Sequence, residues 1–329
     1  MLLPLLTALV LAVQPSAGKP LYRDPVHDGA ADAALVQESA SGRWLMFYTN
    51  RRATLLGIGD KDVSWVHGTH IAVAESADGG HNWRYRGVAD LPAGAPTQWA
   101  PEIVTHAGVH HIFLSVVPGV FKDWNAPRHI VHLTSRDLKR WRFVSRLELG
   151  SDRVIDAAVL RLPSGVWRLW YKDERDGSRI RYAESRDLNT WKPVAVAIAG
   201  PAGEGPKVFF WKGRYWILID HWNGLGVYGS PDADHWTAQP GRLLAGPGLA
   251  RTDRSKGQHA DVVVAQGRAF LFYFVHQENE PEVVADPTWR RRSVIQVAEL
   301  TERDGVISVN RDAPAAVSLM AAPNQRRPR

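Results

Sequence analysis

Three similar apolar runs in the sequence each begin with an acidic residue. These runs are Asp32-Ala-Ala-Leu-Val, Asp156-Ala-Ala-Val-Leu and Glu204-Gly-Pro-Lys-Val. Carboxyl groups that lie close together acquire different pKa values, because the charge on one opposes ionisation of the next. A proton donor and a proton acceptor can then coexist at one pH, which is what cleavage of a glycosidic bond requires. This chemistry is available only if the fold brings the three acids to one place.

Two further runs, Ala100-Pro-Glu-Ile-Val and His259-Ala-Asp-Val-Val, complete a set of five. In every copy a Gly-containing turn, a second apolar run and a third run follow, and four copies continue with a Ser-x-Asp turn and a Trp, as in Ser76-Ala-Asp78 and Trp83. Units of about 40 to 50 residues that contain several short strands are typical of β-propeller blades. The sequence therefore predicts an all-β chain, a five-bladed β-propeller with four-stranded antiparallel blades.

The repeat also predicts where the leading residues lie. The first strand of each propeller blade lines the central channel, and all first strands run in the same direction, so we expect their first residues to meet at one mouth. The aligned positions are Asp32, Ala100, Asp156, Glu204 and His259. A single acid at the start of a strand is usually a solvated turn residue, but three at equivalent repeat positions favour catalysis. Asp24 is an alternative to Asp32, although its place before the repeat favours a turn.

Other side chains are expected to contact a bound sugar. Trp99, Trp124 and Trp222 lie near predicted strand ends or in loops, where an aromatic ring can face the mouth. Glu102 is placed in the same substrate-binding set, as a deeper polar group on the same strand face. The segment 51–68 is long for a hairpin connection, which favours a lid or wall beside the mouth.

The motifs resemble those of glycoside hydrolase family 43 and its five-bladed relatives, over about residues 22–312. By this resemblance Asp32 is the general base, Asp156 orients the acid and modulates its pKa, and Glu204 is the general acid. It also implies a hydrolase that inverts the configuration of an arabinofuranosyl, xylosyl or similar linkage in plant cell-wall polysaccharides or oligosaccharides. The family more often has Asp-Pro-Ser and Glu-Ala-Pro where this chain has Asp-Ala-Ala and Glu-Gly-Pro.

The resemblance extends to two further positions. Trp99-Ala-Pro is similar to a signature of the second blade, and His259 falls where many relatives place an axial His that helps to hold a water-ligated calcium or other cation. No other cofactor is expected. His259 has no metal-binding spacing of His, Asp or Glu around it, so a satisfied core histidine is an equal alternative.

Other functions remain open at this stage. A glycoside phosphorylase or transferase would need basic residues beside the acid at the mouth, and a non-catalytic carbohydrate-binding propeller would use the same fold. Ser76-Ala-Asp78 also matches the Asp-box of sialidases, but such side chains cap their own turn, and a sialidase would need an arginine cluster and a Tyr nucleophile.

Composition and the chain ends complete the prediction. The excess of 40 basic over 34 acidic residues is scattered, which argues against nucleic-acid binding. Residues 1–18 resemble a signal peptide, which predicts a secreted or periplasmic protein with no membrane association after cleavage. The absence of Cys excludes disulfides and thiol chemistry. We expect a catalytic propeller over residues 19–318, a disordered tail over 319–329, and a monomer.

Overall fold

Twenty β-strands form the framework of the computed structural model, which describes residues 16–319. They build five four-stranded antiparallel sheets, and in each sheet the strands are adjacent in chain order. The first blade is β1 (Ala30–Gln37), β2 (Trp44–Asn50), β3 (Ala72–Ser76) and β4 (Arg84–Val88). The second is β5 (Thr97–His106), β6 (Val109–Val117), β7 (His129–Ser135) and β8 (Arg142–Arg146).

The other three blades repeat this order. The third is β9 (Val154–Arg161), β10 (Trp167–Asp173), β11 (Arg179–Ser185) and β12 (Lys192–Ile198). The fourth is β13 (Glu204–Trp211), β14 (Arg214–Asp220), β15 (Leu225–Ser230) and β16 (Thr237–Ala238). The fifth is β17 (Gln258–Ala265), β18 (Arg268–His276), β19 (Ser293–Arg303) and β20 (Val306–Val309). Short 3-10 helices cover Ser64–Val66, Arg251–Asp253, Pro281–Val284 and Pro287–Arg291.

The five blades close into a ring. The first strands β1, β5, β9, β13 and β17 contact one another in sequence, and β17 contacts β1. This arrangement confirms the predicted five-bladed β-propeller. Among residues 16–319 the structure contains no helix of the length and apolarity needed to cross a bilayer.

The burial of each strand explains its composition. An inner strand packs against neighbouring blades on both faces, so its apolar residues run without alternation; in β18, every residue from Ala269 to Val275 is buried. The outer strand β4 instead alternates exposed and half-buried residues. One apolar cluster fills each space between neighbouring blades, and Phe270 and Phe272 of the fifth blade pack with Met46 of the first.

The two ends of the described chain cross the joint between the fifth and first blades. Tyr22 bridges to Ile295 of β19, whereas the backbone N–H of Leu319 donates to the carbonyl of Gly79 at 2.9 Å. Trp44 of β2 donates its indole N–H to the carbonyl of Leu319. Leu319, the first residue of the predicted tail, is therefore packed on the first blade. Residues 1–15 of the predicted signal peptide and 320–329 of the predicted tail lie outside the described residues.

The Ser-x-Asp turns have the structural role that the sequence favoured. Asp78 Oδ1 accepts hydrogen bonds from the backbone N–H groups of His81 and Asn82, and Ser76 Oγ donates to it. Asp24, the alternative base, is likewise used to cap its own turn and to accept a hydrogen bond from the Tyr48 hydroxyl at 2.6 Å. Neither group belongs to the cavity described below.

Candidate active site

Each of the five first strands has one residue in the left-handed backbone region, at the point where it reaches the channel mouth. The residues are Asp32 (φ 47°), Ala100 (φ 42°), Asp156 (φ 61°), Gly205 (φ 53°) and His259 (φ 40°). The pairing register of every first strand shifts at this point, as in a β-bulge. For a residue with a side chain this backbone costs about 1 to 3 kcal/mol, and such strain concentrates at functional sites.

In the fourth blade, the position of the left-handed residue shows that the alignment of the repeats has to be corrected. The residue equivalent to Asp32 and Asp156 is Gly205, so Glu204 lies one position earlier than predicted. The structure gives a steric reason, since a β-carbon on Gly205 would lie 2.7 Å from Nδ1 of His259. Only glycine fits there, and the acid is supplied by the preceding residue.

The acids nevertheless line one cavity, with a volume of about 460 Å³. This volume is in the range of small-molecule sites. The charged and titratable residues on its wall are Asp32, Arg51, Arg128, Asp156, Lys172, Glu174, Glu204, His259 and His276. The structure thus brings Asp32, Asp156, Glu204 and His259 together, whereas Ala100 does not line the cavity.

Asp32 is a buried carboxylate held by two cations. Arg51 Nη2 lies 3.3 Å from Asp32 Oδ1, and His259 Nδ1 lies 3.3 Å from the same oxygen. Burial alone would raise the pKa of Asp32, but Arg51 and His259 together outweigh it, and the pKa is lowered. Arg51 is itself fixed by Nε2 of His276 at 3.3 Å and by the ring of Phe274. Asp32 is therefore an anion over the neutral pH range.

The pKa values of Glu204 and Asp156 are shifted in opposite directions. Lys172 Nζ lies 2.9 Å from Glu204 Oε2, and this ion pair, with a smaller effect of His259, lowers the pKa of Glu204 against the effect of burial. Burial and the neighbouring Glu204 charge raise the pKa of Asp156 to about 6. Asp156 Oδ2 accepts the backbone N–H of Gly205 at 3.1 Å. As the pH falls, Asp156 in the free protein is therefore protonated before Glu204, the reverse of the order that the family resemblance implies.

His259 lies among the acids as a cation. Burial would lower the pKa of His259, but the charges of Asp32 and Asp156 raise it. Asp220 accepts the backbone N–H of His259 at 3.1 Å, and burial together with the Glu204 charge raises the pKa of Asp220 to about 7. A protonated imidazole balances part of the negative charge that these carboxylates bring together.

The His259 ring is poorly suited to direct metal ligation. Among residues 16–319 no group of three or more His, Asp or Glu side chains is placed to hold a metal ion. The Nδ1 atom of His259 lies 3.3 Å from Asp32 Oδ1, so this ring nitrogen already has a carboxylate partner. A cation that His259 contacts only through water stays a prediction.

Aromatic side chains form the apolar wall of the cavity. Trp99, Trp124 and Trp222 all line it, as do Trp65 and Val66 of the segment predicted to form a lid or wall. Trp99 is buried and donates its indole N–H to the carbonyl of Val66 at 2.7 Å, whereas Trp124 and Trp222 are 50% and 41% exposed. The two exposed rings are the ones that a ligand can cover.

Glu102 does not line the cavity, which corrects its assignment to the substrate-binding residues. It lies two residues beyond the left-handed position of its strand, and there its carboxylate pairs with Lys207 Nζ at 2.7 Å. Lys207 also pairs with Asp261 at 2.8 Å. We call Glu102, Lys207 and Asp261 the deep cluster. Their side chains are largely buried below the mouth and unavailable to a ligand.

Comparison with solved structures gives clear matches. A thermostable family-43 glycoside hydrolase superposes with a TM-score of 0.68 at 19% identity, covering 93% of this chain and all of that one. A second match is a family-43 β-xylosidase/α-arabinofuranosidase from a compost microbial metagenome, in complex with xylotriose in a calcium-free form. Its TM-score is 0.63 at 15% identity, and the superposition covers 85% of this chain and 94% of that one. The fold is that of the family 43 glycoside hydrolases.

A third structure agrees with the first two. An α-L-arabinofuranosidase from Lactobacillus brevis has a TM-score of 0.62 at 18% identity, with 87% of this chain and 95% of that chain covered. No family model and no curated protein matches the sequence. At these identities the similarity establishes the fold, and the chemistry has to be argued from the cavity.

Several charged residues at or beside the cavity were missed by the sequence analysis, among them Arg51, Arg128 and His276. Lys172, Glu174 and Asp220 were also missed, and they lie on or just after second strands, not at the heads of first strands. Asp220 pairs in register with Glu204, and Lys172 pairs with Ile155, the residue before the left-handed Asp156. An alignment of the second runs of the five repeats would have shown polar residues at this position, but their approach to the acids depends on the register shifts.

Proposed function

We propose that the protein is a glycoside hydrolase that inverts anomeric configuration and acts on arabinofuranosyl, xylosyl or similar linkages of plant cell-wall polysaccharides or oligosaccharides. The observation that carries the proposal is the cavity in which Asp32, Asp156 and Glu204, from three different blades, meet with distinct proton affinities. The linkage class is supported by the solved neighbours described as β-xylosidase/α-arabinofuranosidase and α-L-arabinofuranosidase.

Asp32 is suited to the role of general base. Its lowered pKa keeps it ionised, and Arg51 and His259 hold the carboxylate in place. In the proposed reaction this carboxylate takes a proton from a water molecule as that water attacks the anomeric carbon. Inversion requires a separation of about 6.5 to 9.5 Å between the two carboxyls, which leaves room for that water.

Glu204 is suited to the role of general acid once it is protonated. Its side chain is 26% exposed, which lets it reach a ligand, whereas that of Asp32 is only 6% exposed. Because Asp156 has a pKa of about 6 and lies beside the Glu204 charge, the two carboxyls hold a proton at mildly acidic pH. In the proposed reaction this proton moves to Glu204, where the negative charge of Asp156 favours it, and Glu204 then gives it to the departing glycosidic oxygen.

The proposal is tested with nitrophenyl arabinofuranoside, xyloside and galactoside. The purified protein is expected to hydrolyse at least one of them, and proton NMR during the first turnovers should show the inverted anomer. Asp32→Asn serves as the control, since equal rates in variant and parent would reveal a contaminating enzyme. Retained configuration would contradict the inverting mechanism, and the lack of turnover on all sugars would favour a non-catalytic carbohydrate-binding propeller.

Phosphorolysis is a second candidate, because basic side chains do lie beside the acid. Lys172 and Arg128 both line the cavity. Each is already paired with Glu174, at 3.2 Å and 3.4 Å, which leaves little positive charge for a phosphate ion. A phosphorylase would form a sugar phosphate at a rate that depends on inorganic phosphate, whereas we expect the free sugar in either the presence or the absence of phosphate.

We also propose that the protein is exported, that it acts as a monomer and that a calcium or other cation binds through water near His259. Export is supported by the apolar residues at the start of the chain. N-terminal sequencing of protein recovered outside the cytoplasm should show a cut near residue 18. Scattering in solution should give a single-chain mass, and added calcium should raise the unfolding temperature if the cation site is real.

A further inference from the structure

One position recurs on the second strands of all five blades. It pairs with the residue just before the left-handed one, and it is occupied by the polar residues Thr49, Ser115, Lys172 and Asp220 and, in the fifth blade, by Phe274. In three blades its side-chain oxygen accepts the backbone N–H of the next left-handed residue. Thr49 Oγ1 accepts from Ala100 at 2.8 Å, Ser115 Oγ from Asp156 at 2.9 Å, and Asp220 Oδ2 from His259 at 3.1 Å.

Lys172 breaks this pattern. An ammonium group has three donors and no acceptor, so it cannot take the N–H of Gly205. Asp156 Oδ2 accepts that N–H instead, at 3.1 Å. Lys172 Nζ is therefore free to extend along the cavity wall, where it lies 2.9 Å from Glu204 Oε2 and 3.2 Å from Glu174 Oε1. A lysine at a position that holds Thr, Ser or Asp in three of the other blades and Phe in the fifth needs an explanation beyond closure of the ring.

Glu174 is held in place independently of Lys172. Arg153 lies 2.9 Å from one of its oxygens and Arg128 lies 3.4 Å from the other. Two arginines hold the Glu174 side chain in place, so it remains beside the ammonium group of Lys172 when the pair with Glu204 breaks. The Lys172 side chain is only 6% exposed and its Nζ lies 5.4 Å from the centre of the Trp222 ring. Water can therefore replace neither partner easily.

We propose that Lys172 is a positioning residue that shares its ammonium group between Glu204 and Glu174 and thereby sets whether Glu204 holds a proton. The inference rests on the proposed function, in which Glu204 is the general acid. In the free enzyme Lys172 pairs with both carboxylates. When the glycosidic oxygen lies beside Glu204, the pair with Glu204 breaks, the pair with Glu174 remains, and Glu204 takes the proton that the free enzyme holds on Asp156. One O–H bond breaks on Asp156 and one O–H bond forms on Glu204.

Several other charges act on Glu204, from every blade that faces it. They are Asp32, Arg128, Asp156, Lys172, Asp220 and His259. Lys172 is the one in direct contact through its charged atom, and Glu174 partly neutralises it. Removal of Lys172 and removal of Glu174 should therefore shift the proton affinity of Glu204 in opposite directions, a result that loss of packing alone would not give.

The experiment is a pH profile of kcat/KM on a glycoside with a poor leaving group, because this profile reports groups of the free enzyme. Lys172→Met should move the alkaline limb up by about 1 pH unit or more, since an opposite charge within about 4 to 6 Å shifts a carboxyl pKa by about 1 to 3 units. Glu174→Gln should move the same limb down. Lys172→Arg keeps the charge and should restore the parent limb. On a glycoside with a good leaving group, which needs no acid, the limb should not respond to any of the three changes.

An alkaline limb that stays in place in both Lys172→Met and Glu174→Gln would overturn the inference, even if both variants lose activity. The pKa of Glu204 is also measured without turnover, by a carbon-13 NMR titration of labelled glutamate carboxyls. Glu204→Gln is used to assign the Glu204 resonance. Failure of the proposed function gives a different result. The parent would then be inactive, or the alkaline limb of its pH profile would persist in Glu204→Gln. The NMR titration would still report whether Lys172 controls the proton on Glu204.

Discussion

Two groups of charged residues lie at different depths along the inner strands of the blades, and they differ in how completely they are paired. In the deep cluster, Lys207 bridges Glu102 and Asp261, and each carboxylate also accepts a backbone N–H, from Val159 at 3.1 Å and from Leu35 at 2.8 Å. These contacts connect all five blades through one lysine. With every charge partnered and none of its residues on the wall of the cavity, the deep cluster is built to hold the ring together.

The charged residues at the mouth are arranged differently. We call Asp32, Asp156, Lys172, Glu204, Asp220 and His259 the mouth cluster. It has more carboxylates than cations, its left-handed backbone is strained, and the pKa values of Asp156 and Asp220 are raised to about 6 and about 7. Residues with such shifts next to a cavity are candidates for proton transfer. The contrast shows that charged residues with complete sets of partners stabilise the fold, whereas carboxyls without enough cationic partners are able to gain and lose protons.

The largest effect is expected for Asp32→Asn. An amide cannot take a proton from the attacking water, so kcat should fall by about 10² to 10⁴ for good and poor leaving groups alike. The measurement is steady-state kinetics on two aryl glycosides of different leaving-group pKa. An activity loss confined to the poor leaving group would indicate that Asp32 is the general acid rather than the general base. It would thereby contradict the roles proposed for Asp32 and Glu204 within the mouth cluster.

Lys207→Met tests the deep cluster. It leaves two buried carboxylates, Glu102 and Asp261, without their common cation, and we expect a loss of about 3 to 5 kcal/mol in the free energy of unfolding. Urea unfolding measures it. Lys139→Met is the control, since that side chain is 73% exposed and the change should stay within about 0.5 kcal/mol. Similar stability of the two variants would contradict the structural role of the deep cluster.

Asp220→Asn tests the mouth cluster through the pH dependence of the free energy of unfolding. The pKa of Asp220 is raised from 3.8 to about 7 in the folded protein, so the folded state binds its proton more tightly than the unfolded state does. The parent therefore loses stability at this site as pH rises from about 4 to about 7, and the variant does not. Relative to the parent, the variant should gain on the order of 2 kcal/mol between about pH 5 and about pH 8. A stability difference that does not change with pH would contradict the raised pKa.

The smallest effect is expected for Trp222→Ala. The ring lines the cavity but is 41% exposed, so its loss should raise KM about tenfold, equivalent to about 1.4 kcal/mol, with little change in unfolding. Phe210→Ala, at a side chain that is 50% exposed and does not line the cavity, is the control. An unchanged KM in Trp222→Ala would remove this ring from the sugar site.

The sequence predicted the ring well, because each blade repeats the same apolar runs and turns. It misplaced Glu204 by one position, since the alignment by residue type could not reveal that a β-carbon on Gly205 would collide with His259. It assigned Glu102 to the sugar site because alternation along a strand gives the face of a residue but not its depth. Lys172 and Asp220 were missed because their approach to the acids depends on the register shifts at the left-handed residues.

The most direct test compares two glutamates of opposite predicted roles, Glu204 in the mouth cluster and Glu102 in the deep cluster. Each is changed to Gln, and kcat per folded molecule on a poor leaving group is measured together with the free energy of unfolding. The account predicts that Glu204→Gln loses about 10² to 10⁴ in kcat and keeps its stability, whereas Glu102→Gln loses stability and keeps its kcat. Full activity in Glu204→Gln, or an equal loss of kcat in both variants, would contradict it.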